Sequence, residues 1–108
     1  MADRLMVEKT AFTLAAGGVI LTGLSGDSQT CISILICETA GVDETFTLTH
    51  QATGGGSSVT IYKDQSLPAK STFEHTSKIV VDDTAQLKIT FGSDCNVSVV
   101  CSYLQQDD

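Results

Sequence analysis

Tryptophan is absent from this 108-residue chain, and four phenylalanines and two tyrosines are its whole aromatic content. Sugar sites draw on exposed aromatic platforms with polar partners, so this scarcity argues against a carbohydrate-binding surface. Phe46, Phe91 and Tyr103 fit core positions, which leaves Tyr62, Phe73 and Phe12 as candidate platforms. Proline occurs once, and basic residues number six against thirteen acidic ones, a net charge of -7. A surface this acidic repels phosphate backbones and anionic membranes, so neither nucleic acid nor membrane is expected as a partner.

Long apolar runs are lacking as well. The uncharged stretch over residues 11–26 is interrupted by Gly17, Gly18, Gly23 and threonines, too short and polar to cross a bilayer. No apolar segment follows Met1-Ala2-Asp3-Arg4, so no export signal is read there. Histidine occurs only at positions 50 and 75. No GxSxG elbow accompanies either one, and Gly54-Gly55-Gly56 lacks the lysine and helix of a phosphate loop. His75 reads as a surface strand residue and His50 as solvent-facing. Asp82-Asp83 with Asp43-Glu44 or Asp94 could gather around calcium, but no EF-hand spacing is present, and solvated turn acids are the simpler reading. No catalytic residue, cofactor or metal site is expected, and the chain is not read as an enzyme.

What is present is β-strand composition. Val, Ile, Leu, Ala and Thr dominate, and 42% of residues are hydrophobic, enough for one core in one domain. The segment Thr30-Cys31-Ile32-Ser33-Ile34-Leu35-Ile36-Cys37-Glu38 carries no charge before its last residue. Period-two alternation sets Ile32, Ile34 and Ile36 on one face and Cys31, Ser33, Leu35 and Cys37 on the other. Cys95-Asn96-Val97-Ser98-Val99-Val100-Cys101 repeats the device. Alternation predicts further strands over residues 10–15, 19–24, 44–51, 59–63, 71–76, 78–81 and 85–91, with glycine, aspartate and the single proline as punctuation. Eight or nine short strands without a helix predict an all-β fold: a single antiparallel β-sandwich, jelly-roll-like, or a barrel. Residues 1–9 read as an N-terminal arm, 10–104 as the sandwich domain, and 105–108 as an acidic tail.

Cys31, Cys37, Cys95 and Cys101 are disulfide candidates. If the two cysteine-bearing strands are antiparallel neighbours, one register sets Cys31 opposite Cys101 and Cys37 opposite Cys95, making two bridges available. Buried reduced thiols and interchain bridges are the alternatives. A zinc site is the least favoured alternative, since it would need short CxxC-like loops and positions six apart on a strand are too far apart to serve one ion.

The order of segments resembles a family of small β-sandwich virion proteins of tailed bacteriophages, the decoration, neck-collar and tail-accessory type. The likeness runs through Ile34-Leu35-Ile36-Cys37-Glu38-Thr39, the Thr-rich Glu44-Thr45-Phe46-Thr47-Leu48, Lys63-Asp64-Gln65-Ser66-Leu67-Pro68-Ala69, and the closing Val97-Ser98-Val99-Val100-Cys101-Ser102-Tyr103-Leu104. The cysteines depart from that family's pattern, which commonly has Val, Ser or Asn there. The resemblance implies a non-enzymatic virion structural protein, present in many copies, assembled in the host cytoplasm and docked on capsid, neck, collar or tail. Other virion proteins (capsid, neck, tail or sheath) would be its partners, and a homodimer or homotrimer its state. Interface candidates are Met1, Arg4 and Met6 of the arm, Gly54, Gly55 and Gly56 of the loop, and Phe73 and His75 of the edge near residues 71–76. A carbohydrate- or host-receptor-binding sandwich is the competing reading.

Overall fold

The computed structural model describes residues 3–53 and 56–107. Met1, Gly54 and Gly55, expected as interface residues, lie outside them. The described residues form nine strands and no helix: β1 (Asp3–Phe12), β2 (Gly18–Thr22), β3 (Asp27–Glu38), β4 (Glu44–Ala52), β5 (Ser58–Leu67), β6 (Thr72–His75), β7 (Ile79–Val81), β8 (Ala85–Phe91) and β9 (Val97–Asp107). One sheet has the order β1-β9-β3-β6, with β7 also on β3; the other has the order β2-β8-β4-β5. With β6 and β7 taken as one interrupted strand, successive pairs nest like a long hairpin wrapped around itself. The first strand pairs the last, the second pairs the next to last, and β4 pairs β5. That is a jelly roll, the expected antiparallel β-sandwich.

Alternating strands behave as their patterns require. Phe46 and Leu48 of β4 lie opposite Phe91 and Ile89 of β8, all buried between the sheets. Leu87 completes this layer, so β8 presents one apolar face inward and Gln86, Lys88 and Thr90 outward. Removing such side chains from water is the main stabilising term, roughly 1.5–3 kcal/mol for each large one.

Strand β3 departs from its expected phase. Cys31 pairs Tyr103 and Ser33 pairs Ser102, so Ile32 is an extra residue, a β-bulge. A bulge reverses the alternation along its strand. Cys31 therefore shares the inner face with Ile34 and Ile36, all three fully buried, while Ile32 is half-buried. The bulge and a different register separate the expected Cys37–Cys95 pair, with Cys37 opposite Ser98, whereas Cys31 and Cys101, no longer directly opposite, still bring their sulfurs to 3.5 Å.

Both termini extend the sandwich further than expected. Residues 3–9, read as an arm, are the first part of β1 and pair with residues 100–106 of β9. Strand β9 continues through Asp107, so most of the expected tail is strand. At the turn after β2 the backbone passes very close to another loop. A Cβ at Gly23 would run into the Asp82 carbonyl oxygen, and the Gly23 N–H donates to the Ala85 carbonyl at 2.9 Å.

Candidate functional site

Three places carry polar or reactive groups: the thiols, an aromatic cluster around His75, and the acidic loop end. Cys31 and Cys101 are diagonal neighbours on the inner face, both fully buried, with sulfurs 3.5 Å apart. They are free thiols, as are Cys37 and Cys95. The hydrogen bond to Cys31, then burial, pushes the Cys101 thiol up. Cys37 lies on the outer face beside Ser98. Cys95 packs against the core from the other side, its thiol 3.8 Å from the Phe12 carbonyl. Burial, then the nearby Glu44, pushes the Cys95 thiol up.

His75 was expected at the surface, yet it is 6% exposed. Strand β6 pairs β3 with His75 opposite Ile34 and Phe73 opposite Ile36, so both point inward. Tyr62 reaches across from β5, and its hydroxyl lies 2.7 Å from His75 Nδ1. Tyr62, Phe73 and Phe46 stack edge to face, with centroids 5.0 to 6.1 Å apart. Nε2 of His75 is buried without a partner. All six aromatic residues are therefore buried or half-buried, and none offers a platform to a sugar ring. His50 is half-buried, its Nε2 3.0 Å from the Val80 carbonyl.

Acids crowd one end of the sandwich, and each ties a loop. Glu38, 2% exposed, accepts backbone hydrogen bonds from Ala40, Gly41, Val42 and Lys70 at 2.8–3.2 Å. The Lys70 N–H leads these in holding the Glu38 carboxyl below its ordinary range. Glu44 accepts from the Ser93 hydroxyl, Asp43 from the Ala69 N–H and Asp94 from the Ala15 N–H, all at 2.8–2.9 Å. A shallow cavity of about 410 Å³ opens beside Asp43, Glu44, Ser66 and Gly92. Among the described residues no three metal-ligating side chains come together. Asp82 caps its own turn through the Thr84 hydroxyl and N–H, which lower its carboxyl. These acids hold loops in place; sequence spacing carried no sign of that work.

The remaining surface of interest is the outer face and free edge of the β1-β9-β3 sheet. The register aligns Leu5, Leu104, Thr30 and Val80 in one row across it, and Lys9, Val100, Leu35 and Glu74 in another. Leu5 is 78% exposed and Val80 58%, with Val7 and Leu35 also open to solvent. Among the described residues strand β1 pairs only β9, which leaves its other edge free, and residues 3–9 are exposed on both faces. Arg4 and Met6, expected at an interface, lie on this strand. Gly56 is exposed at the β4–β5 turn, on the far side of the other sheet's order. Phe73 and His75 are interior and do not join the surface. Leu5, Val7, Leu35 and Val80 were missed because one apolar residue in isolation signals nothing; only the register brings them into one patch.

No protein-family model and no curated protein sequence matches this chain. Solved structures do. A structure of infectious bursal disease virus, Gx strain, aligns with 97% of this chain at 14% identity and a TM-score of 0.55, over 32% of its own chain. A subunit of Bacillus endospore appendages, described as disulfide-linked pili, aligns with 99% of this chain and 91% of its own at 12% identity and a TM-score of 0.51. Modules of an endo-1,4-β-D-xylanase of Clostridium thermocellum complexed with xylohexaose align at 13% identity and a TM-score of 0.55, over 96% of this chain and 25% of that one. The chain thus spans a third or less of the viral and xylanase chains. At these identities the likeness is one of fold: the same β-sandwich.

Proposed function

We propose that the chain is a non-enzymatic virion structural protein of a bacteriophage. It acts as a multicopy, oligomeric sandwich docked on capsid, neck, collar or tail, where it links or stabilises neighbouring virion proteins. One observation carries this reading: the outer face of the β1-β9-β3 sheet displays aligned apolar side chains beside an unpaired strand edge. Soluble monomers blunt such edges, whereas assembling subunits use them. The sequence likeness to small phage sandwich proteins supports the reading, as does the fold shared with a viral particle protein and a pilus subunit. Cys37, half-buried on that same face, is the thiol placed to bridge to a neighbour once particles leave the reducing cell.

The test is mass spectrometry of particles purified from cells expressing the phage genes, with a deletion of this gene alongside. Stoichiometric peptides of the chain, and particles that become fragile or incomplete without it, are the expected result. Intact, fully stable particles that lack the chain overturn the reading. The shared fold with a xylohexaose complex favours a carbohydrate-binding alternative, but here the rings face inward. Specific retention on a glycan array would reverse that choice.

A further inference from the structure

Strand β1 opens Asp3-Arg4-Leu5-Met6-Val7-Glu8-Lys9, and this order is complementary to itself when reversed. We infer that two copies of the chain pair edge to edge through β1, antiparallel, about a two-fold axis at Met6. The inference rests on the oligomeric part of the function proposed above and is independent of any location on a virion.

Residues directly opposite in an antiparallel pair project on the same face. With Met6 opposite its own copy, Leu5 meets Val7, Arg4 meets Glu8, and Asp3 meets Lys9, each contact occurring twice by symmetry. The faces agree with the β1–β9 register. Arg4, Met6 and Glu8 lie opposite Gln105, Tyr103 and Cys101 on the inner side, while Leu5, Val7 and Lys9 lie opposite Leu104, Ser102 and Val100 on the outer side. Apolar side chains therefore sit at the centre of the joint and opposite charges at its ends, on both faces.

Other arrangements lose this match. A parallel pairing sets each charge against its own kind. Moving the axis by one residue either way, a two-residue shift of register that pairs Leu5 or Val7 with its own copy, sets charged residues against apolar ones. An edge protected against association would carry an inward or central charge; here the centre is Leu5-Met6-Val7, with Leu5 and Val7 both more than half exposed and Met6 40% exposed. Among the described residues Arg4, Glu8 and Lys9 enter no ion pair, and Asp3 accepts only a long 3.4 Å hydrogen bond from Gln106. The charges are free for a partner. Pairing would join the two β1-β9-β3 sheets into one continuous sheet with a common apolar outer face.

Charge reversal tests the register. Sedimentation velocity across a dilution series should show a dimer for the natural chain. R4E and E8R should each weaken it by about tenfold or more, because like charges then face each other across the joint. Mixing the R4E chain with the E8R chain should restore a dimer, seen by native mass spectrometry as a heterodimer, since every altered position again meets the opposite charge. That restoration also shows that both variants are folded. In addition, M6C should oxidise readily to a covalent dimer, whereas T10C, far from the axis, should not. A natural chain that stays monomeric, single variants that dimerise as well as it does, or a mixture that fails to recover each overturns the pairing. So does a dimer that M6C cannot cross-link. None of these results bears on whether the chain is found in particles, which is read separately.

Discussion

The sulfur atoms of Cys31 and Cys101 lie 3.5 Å apart in the closed interior, while Cys37 is on β3 opposite Ser98 and Cys95 lies in the loop before β9, packed against the core. Only the first pair can bridge within one chain. Mild oxidation of the isolated protein should remove two hydrogens, not four, and peptide mapping should find Cys31 joined to Cys101. In the reduced state, alkylation should label Cys37 and Cys95 well before the two fully buried thiols. A bridge between Cys37 and Cys95 would contradict the register.

Tyr62 and His75 form a polar pair inside an aromatic cluster. Tyr62→Phe leaves Nδ1 of a buried ring without its partner, in addition to the unpartnered Nε2, and should cost about 1–3 kcal/mol in urea unfolding. Replacing both, Y62F with H75F, should cost less than the sum of the single changes, because the buried nitrogens go with the hydroxyl. A strictly additive cycle would show that the pair is not coupled.

Four backbone hydrogen bonds hold the Glu38 carboxyl below its ordinary value of 4.5 in the folded chain. A depressed carboxyl contributes stability that is fully present above the unfolded value and is lost as pH falls through the folded one. Stability should therefore decline as pH drops below about 4.5, and Glu38→Gln should flatten that acid limb while loosening the loop over residues 39–43. Asp82, lowered in the same direction by Thr84, should supply part of the slope that remains. Chemical denaturation at a series of pH values measures both effects.

Gly23 has no room for a methyl group: backbone oxygens of Asp82 and Ala85 occupy the space. Gly23→Ala should force the β7–β8 turn outward and cost about 1–3 kcal/mol or more. The same substitution at Gly26 meets no atom within 4 Å but sits at a φ of 80°, so it should cost less, through backbone strain alone. Thermal melts of the two variants should rank them in that order.

How much of this could be read in advance depended on whether information was local. Phe46 and Leu48 on one strand, and Leu87, Ile89 and Phe91 on another, announce their inward faces by alternation, and they are buried as expected. The bulge at Ile32 does not announce itself, since Cys31 and Ile32 are both acceptable inside; the neighbouring strand decides which turns in. Residues 3–9 failed to read as strand because an overhanging edge strand, exposed on both faces, has no alternation to show. His75 failed for a related reason. In Ser71-Thr72-Phe73-Glu74-His75 the inward set is Phe73 and His75, and a histidine reads as polar until Tyr62, thirteen residues earlier, arrives to bond it. The acids behaved likewise: Glu38 looks like any turn carboxylate until Lys70 delivers its N–H.

Strand β9 has a further consequence that concerns time. Translation makes it after all the other strands, yet it lies between β1 and β3 at the middle of its sheet. Until it has left the ribosome, β1 has no strand to pair with and β3 holds only β6 and β7. β1 and β3, two long strands, stay open until the eleven residues of β9 arrive. Closure of this sheet thus waits for β9 and is dominated by sequence-distant contacts, which makes it slow for a domain of this size. Nascent chains crowded on one message would meet each other's open strands before their own β9 arrived, and open strand edges of that kind are prone to associate wrongly.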